Sequence, residues 1–323
     1  MSAQLERIQD ELDRRAAKND APNRLKMVGL GDFLALDIPP RENLLAPWLP
    51  RQGLGMIYAP RGVGKTFVAL HVAYAVASGG ELFGRWQAPK PATAVYLDGE
   101  MPAATMQERL ASIVSSADKE AAPDRLHIIT PDLQELGMPD LSSIEDQKMI
   151  DACIPEDTSL IVVDNLSTMV RSGKENESES WQPVQTWALA HRAKGRSVLF
   201  VHHAGKGGAQ RGTSRREDVL DTVIALRRPT DYAPDQGAVF EVHFEKARGL
   251  MGEDCEPFEA RLDPSLDGMQ WTTRSVEDTT RDRVVDLHEE GLKNPEIAAE
   301  LGVHRSTVHR HLRAAGINPK KKG

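Results

Sequence analysis

An apolar run, Leu54-Gly55-Met56-Ile57-Tyr58, leads straight into Ala59-Pro60-Arg61-Gly62-Val63-Gly64-Lys65-Thr66, and a helical pattern over 67–78 follows, stopped by Gly79-Gly80. A buried strand, a glycine-bearing turn and a helix in immediate succession commit this part of the chain to an α/β arrangement. The turn must point its N–H groups inward, which is why glycines stand at 62 and 64. Pro60, Arg61, Gly62, Val63 and Gly64 then form a cradle for phosphates at the positive end of the helix. Lys65 is placed to reach the β- and γ-phosphates, and the Thr66 hydroxyl to meet a magnesium ion. The first residue of the loop is Ala59 where glycine is usual, a position that tolerates a small side chain if its φ stays negative. The segment implies a nucleoside triphosphate, with ATP and Mg²⁺ as the expected cofactors.

Further apolar runs repeat the theme. Thr93-Ala94-Val95-Tyr96-Leu97, Leu126-His127-Ile128-Ile129, Leu160-Ile161-Val162-Val163 and Val198-Leu199-Phe200-Val201 alternate with helical patterns near 102–116 and 180–194. Continuous apolar strands separated by helices predict a parallel sheet covered on both faces. Segments 222–226, 238–244 and 258–262 are joined without room for crossover helices, so they read as antiparallel strands at one edge. Ahead of this domain (40–270), residues 1–39 supply a short amphipathic helix over 4–18 and a proline-rich connector. That helix suits a docking arm for a neighbouring subunit or packing on its own domain.

A linker over 271–280 is expected to lead to a small helical unit, 281–323. Helices over 281–290, 296–301 and 304–314 are punctuated by Gly291, Gly302 and Gly316, the middle one opened by Pro295. Helix, glycine turn, helix is the helix-turn-helix pattern, whose second helix enters the major groove of duplex DNA. Ala298 and Ala299 are small where the helices would cross. Arg305, Ser306, Thr307, His309, Arg310 and Arg313 remain for bases and phosphates. A three-helix protein-docking module is the alternative. The whole chain carries a net charge of −8, yet six Lys/Arg and no acid follow Leu301, ending in Lys320-Lys321-Lys322. A basic face is therefore local, and a chain-wide basic coat is excluded. The acidic N-terminus is unlike a signal peptide, no apolar stretch is long enough for a bilayer, and two cysteines give neither metal spacing nor a disulfide framework. A cytoplasmic protein without membrane contact is expected.

Hydrolysis needs an acid at a strand end. Asp164 closes one buried strand and can hold Mg²⁺ opposite Thr66. Asn165 follows it, so the base for an attacking water must come from elsewhere. Glu100, just beyond Leu97-Asp98-Gly99, stands where ligands gather in parallel sheets; Asp98 is the rival base, and a solvated loop carboxylate the plain reading of Glu100. His202 and His203 end a third strand and could contact the γ-phosphate. A zinc site there has no further Cys, Asp or Glu at ligand spacing.

Together, Ala-Pro-x-Gly-x-Gly-Lys-Thr, Leu-Asp-Gly-Glu, Val-Val-Asp-Asn-Leu-Ser, Val-His-His-Ala-Gly-Lys and Arg-Gly-Thr-Ser resemble the RepA-type ATPases of the RecA/DnaB superfamily over roughly residues 40–265. The resemblance implies a RecA-like core and a ring of identical subunits, usually six, with ATP held between neighbours. It gives Glu100 the role of general base and His202 or His203 that of γ-phosphate sensor. It also aligns Glu245-Lys246-Ala247-Arg248-Gly249 with an element whose Arg248, with Lys246, reaches a neighbour's γ-phosphate. Solvated strand-face charges are the alternative for that pair. Loops 171–180 and 205–218 are candidates for lining the ring channel. The second carries Lys206, Arg211, Arg215 and Arg216 for single-stranded DNA, without aromatic residues for stacking. The implied activity is an ATP-dependent helicase in the replication of a plasmid, phage or mobile element. The helix-turn-helix, absent from a minimal protein of that type, leaves open a non-unwinding DNA-bound ATPase or a nucleotide-sensing transcriptional regulator.

Overall fold

A computed structural model describes residues 27–171, 178–205, 218–229, 232–265 and 268–317. The helix expected over 4–18, the basic residues Lys206, Arg211, Arg215 and Arg216, most of loop 171–180 and the Lys320–Lys322 tail lie outside the described residues. The chain divides into two units, Met1–Pro40 and Arg41–Gly323. In the first, a five-residue helix α1 (Leu30–Leu34) is described, with Leu30 and Leu34 exposed.

The second unit is built on a nine-stranded sheet. Its elements in chain order begin with β1 (Asn43–Leu45), β2 (Leu49–Pro50), β3 (Leu54–Ala59), α2 (Lys65–Ser78), β4 (Glu81–Leu82), β5 (Trp86–Gln87), β6 (Thr93–Asp98), α3 (Ala103–Ser116) and β7 (Leu126–Ile129). Then come α4 (Ile144–Cys153), β8 (Thr158–Asp164), α5 (Leu166–Met169), α6 (Ser178–Ala193), β9 (Ser197–His203), β10 (Thr222–Arg227), β11 (Val239–Ala247), β12 (Phe258–Ser265) and β13 (Gly268–Ser275). Three helices finish the chain: α7 (Val276–Glu289), α8 (Asn294–Glu300) and α9 (Arg305–Ala314). Strand order in the large sheet is β13-β12-β11-β10-β3-β9-β8-β6-β7.

The six strands from β10 to β7 are parallel to one another, and β11 to β13 extend the sheet antiparallel. The sheet is thus mainly parallel with antiparallel edge strands, as the apolar runs imply. One assignment needs correction: the segment 222–226 is expected antiparallel, but β10 runs parallel to β3, with Thr222 opposite Gly55 and Tyr58 opposite Ala225. Its return connection is the long 204–221 segment, so the distance to the preceding strand, not to the following one, decided its direction.

Strand alternation sorts side chains onto two apolar layers. Ile57, Ala59, Ala94, Tyr96, Val162 and Val201 face α2 and α3, while Met56, Tyr58, Val95, Ile161 and Phe200 face α4, α5 and α6. Burial on both faces explains why these strands read as unbroken apolar runs. At the antiparallel edge an aromatic group closes the first layer: Phe83 lies 4.9 Å from Trp271 and 5.6 Å from Phe258, centroid to centroid.

The linker expected over 271–280 is not one. Residues 271–275 belong to β13, paired residue for residue with β12, and α7 begins at Val276, five residues before the expected helix. Ser275 caps that helix by accepting the Asp278 N–H at 3.0 Å, and it also ends the strand. Arg283 of α7 pairs with Glu259 of β12, so the helix is anchored to the sheet edge. The three-helix unit has its own core of Val284, Ile297, Ala298, Leu301, Val308 and Leu312. Ala298 is buried at the helix crossing as expected; Ala299 is exposed and takes no part in it. Among the described residues no helix is long and apolar enough to cross a membrane.

Candidate nucleotide site

The Ala59–Thr66 loop leaves the carboxyl end of β3. Gly64 caps α2 with φ 118°, a conformation few side chains adopt, and an added Cβ would also sit 3.5 Å from the Phe240 ring. Val63 is buried in the α2 layer and anchors the loop's middle, while Pro60, Arg61 and Gly62 are exposed. Lys65 is buried. Burial pushes its ammonium below the usual lysine range, and nearby Asp164 and Glu100 oppose that shift.

Alternation along β6, β8 and β9 puts Tyr96, Asp98, Asp164 and His203 on the α2 face. Tyr96 donates its hydroxyl to Asp164 Oδ2 at 2.7 Å. Burial raises the Asp164 pKa, with the Tyr96 hydrogen bond first, then nearby Thr66 and the charge of Lys65, working the other way. Thr66 and Asp164 line the same cleft at the end of the loop.

Glu100 stands beyond β6 on a turn that Asp98 shapes. Asp98 accepts the Met101 N–H at 2.9 Å, the Glu100 N–H at 3.4 Å and the Thr130 hydroxyl at 3.2 Å. It is almost fully buried, and desolvation with neighbouring Asp164 pushes its pKa up to about 6. Gly99 between them has no room for a side chain: a Cβ there would lie 2.4 Å from Thr168 Oγ1. Glu100 itself is 61% exposed and accepts a hydrogen bond from Asn165 Nδ2 at 2.6 Å. His203 Nε2 lies 3.9 Å from the same carboxylate. His202 is fully buried, on the opposite face with Phe200. Of the two histidines, His203 is the one that faces Glu100.

Lys65, Thr66, Asp98, Glu100, Asp164 and Asn165 line one open cleft of about 270 Å³, together with Met101, Pro102, Thr105 and Arg109. Lys246 and Arg248 are not there. Ala247 lies opposite Thr222, which lies opposite Gly55, so the pair sits at the amino-terminal end of β3, two strands across. There Arg248 Nη2 donates to the Asp218 carbonyl at 3.0 Å.

Sequence reasoning missed Tyr96, Arg109 and the Asn165–Glu100 bond. Arg109 follows Thr105 by four residues on α3, the spacing of one helix face, and that was a usable signal.

Residues 19–209, more than half of the chain, match the AAA domain family. The chain belongs to the AAA domain family. With the loop, Asp164 and Glu100 in one cleft, this AAA domain is a nucleotide-binding, nucleotide-hydrolysing P-loop ATPase. Residues 275–318 match the homeodomain-like domain, beginning at the residue that caps α7. Two solved structures are similar to the chain. The flagellar accessory protein FlaH from Methanocaldococcus jannaschii is 13% identical over 69% of this chain and 90% of that one, with a TM-score of 0.45. A KaiC-like protein from Pyrococcus horikoshii OT3 is 15% identical over 72% and 98%, with a TM-score of 0.45.

In the homeodomain-like unit, α9 has a buried face of Val308, His311 and Leu312, and exposes Arg305, Ser306, His309, Arg310 and Arg313. Thr307 is half-buried. His311 is kept below the usual histidine range, chiefly by burial and then by the charge of Arg310. Arg310 Nη2 lies 3.4 Å from Glu277 of α7, but both side chains are well exposed. Such pairs contribute roughly 0–1 kcal/mol, too little to withhold Arg310 from a phosphate or base.

Proposed function

We propose that this AAA domain protein is a DNA-dependent ATPase of RepA type, a helicase whose subunits form a ring and complete one another's nucleotide sites. The observation that carries the reading is the separation of Arg248 and Lys246 from their own cleft. At the opposite end of the sheet they are too distant to serve the phosphates held by their own loop, and a head-to-tail neighbour would bring them to a different one. In such a ring, of six copies in the proteins it resembles, Arg248 follows charge developing on the transferred phosphoryl group.

The loop from Pro60 to Thr66 cradles the triphosphate, and Lys65 meets its β- and γ-oxygens. Thr66 and Asp164 fit a magnesium ion, since both offer hard oxygen donors and the buried Asp164 carboxylate is relieved by a cation. Bound there, the ion would neutralise charge on the β- and γ-phosphates. Glu100 takes the proton from the attacking water, steered by Asn165, while Asp98 shapes the turn. His203, rather than His202, registers the γ-phosphate through Glu100. Lys206, Arg211, Arg215 and Arg216 track single-stranded DNA in the ring channel, and the helix-turn-helix holds duplex DNA. Replication of a plasmid, phage or mobile element in the cytoplasm is the setting this combination suits.

Strand displacement on a forked DNA substrate tests the central claim. Unwinding that requires ATP hydrolysis is expected. Turnover stimulated by single-stranded DNA without displacement would replace the helicase with a DNA-bound ATPase switch, and turnover indifferent to DNA would leave a nucleotide sensor.

The C-terminal unit makes a separable prediction. Neutralising Arg305 and Arg313 should weaken every duplex alike and reduce the slope of log affinity against log salt by roughly one unit for each phosphate that is no longer neutralised. Replacing Ser306 or Arg310 should change which duplex is preferred, at about 1–3 kcal/mol per base read. Duplex binding titrated against salt distinguishes the two. Unchanged binding in all these variants would make the unit a protein-docking module.

A further inference from the structure

Arg228 stands just past the end of β10, the strand beside the one that feeds the phosphate-binding loop, and both Nη atoms of its guanidinium donate to backbone carbonyls. Nη2 donates to the Gly62 carbonyl at 2.8 Å. Nη1 donates to the Val239 carbonyl at 2.7 Å and the Gly237 carbonyl at 3.2 Å. The face of the guanidinium lies 3.6 Å from the centroid of the Tyr232 ring, whose hydroxyl donates to the same Gly237 carbonyl at 3.0 Å. On its remaining side is a cavity of about 290 Å³, shared with Thr280, Arg283 and Val303 of the C-terminal unit, so packing does not restrain it there. Three carbonyls and one ring fix it instead.

The bond to Gly62 has a consequence for the loop. In a planar trans peptide the carbonyl and the following N–H point in opposite directions. Holding the Gly62 carbonyl toward Arg228 therefore holds the Val63 N–H away from it. Gly62 is exposed and, with φ 80°, has little steric preference to hold that plane by itself. Lysine could bring a charge to this place, but not a planar fork reaching Gly62 and Val239 together while stacking on a ring.

We propose that Arg228 is a positioning residue for the phosphate-binding loop: it sets the Gly62–Val63 peptide so that the Val63 N–H is presented to the nucleotide's phosphates before they arrive. The proposal rests on the reading of Ala59–Thr66 as the nucleotide site. Preorganisation of this kind acts on binding, because the loop otherwise has to be ordered as the ligand enters. It leaves the hydrolytic groups on β6 and β8 untouched.

The test uses the full-length protein, with a fluorescent ATP analogue for affinity and steady-state turnover for KM and kcat. Arg228→Ala should raise the dissociation constant and KM about tenfold, the scale of one charge-assisted hydrogen bond. The change in kcat should stay below about twofold. Arg228→Lys should remain several-fold impaired. Full recovery by lysine would mean that charge near the phosphates, not the fork, is what matters, and would overturn the proposal, as would wild-type affinity in both variants. Should Arg228→Ala not fold, Tyr232→Ala keeps the arginine but removes its platform and should raise the dissociation constant about threefold; wild-type affinity there also overturns it. Lys65→Ala separates the two levels of the argument. If it binds the analogue normally, the loop is not the nucleotide site and the proposal falls with that reading; if it loses binding while the Arg228 and Tyr232 variants do not, only the positioning role falls.

Discussion

Glu100→Gln is expected to bind ATP and hardly hydrolyse it. The amide keeps the size of the side chain and can still meet Asn165, but it cannot take a proton from water. A positioned general base contributes about 10²–10⁴-fold, so single-turnover hydrolysis should fall by that factor while nucleotide affinity stays near the wild-type value. Asp98→Asn is the contrasting variant. Asp98 is almost fully buried, with its oxygens taken by the Glu100 and Met101 N–H groups and the Thr130 hydroxyl. Its replacement should disturb the turn and cost less turnover. If Asp98→Asn gives the larger loss and Glu100→Gln a mild one, the two carboxylates have been given each other's roles.

Mixing two dead proteins should restore activity. Lys65→Ala removes the charge nearest the β- and γ-phosphates and should abolish turnover. Arg248→Ala should also abolish it, through the neighbour's site, with a loss on the scale of about 10³–10⁵ for an arginine finger supplied in trans. In the proposed ring the two substitutions would damage opposite sides of an interface, so assemblies of both would contain some sites with an intact loop facing an intact arginine. ATPase measured across mixing ratios should pass through a maximum that neither protein reaches alone. Co-assembly without recovery at any ratio would remove Arg248 from the site and return it to the ordinary role of a strand-end charge.

The parts of this molecule legible in sequence were those whose chemistry is local. The loop, Asp164 and Glu100 each sit at a strand's carboxyl end, and a run of apolar residues followed by a charge announces such an end. Residues that reach the cleft through strand pairing gave no such sign. Tyr96 lies mid-strand and reads as core until its face is known. Arg228 is 166 positions from Gly62, and only the parallel pairing of β10 with β3 brings them together. The expected linker failed for another reason. Met269, Trp271 and Thr273 alternate with Gln270, Thr272 and Arg274, the period-two pattern of a strand with one wet face, but only two large apolar residues carry it, which makes it faint. Ser275 followed three residues later by Asp278 was a helix start in plain view.

The direct passage from β13 into α7 alters what the C-terminal helices can be. A flexible tether would let each recognition helix search for DNA independently of the nucleotide it serves. Here one serine both ends the edge strand and caps the helix, and Arg283 clamps that helix to β12. The angle between α9 and the sheet is therefore a property of the fold. In any assembly made by rotating one copy onto the next, the recognition helices repeat at the same angular step as the nucleotide clefts. In the proposed assembly, duplex DNA held by one copy would be inclined to the assembly axis in one way only, and a turn of one subunit against its neighbour would be a turn applied to that DNA.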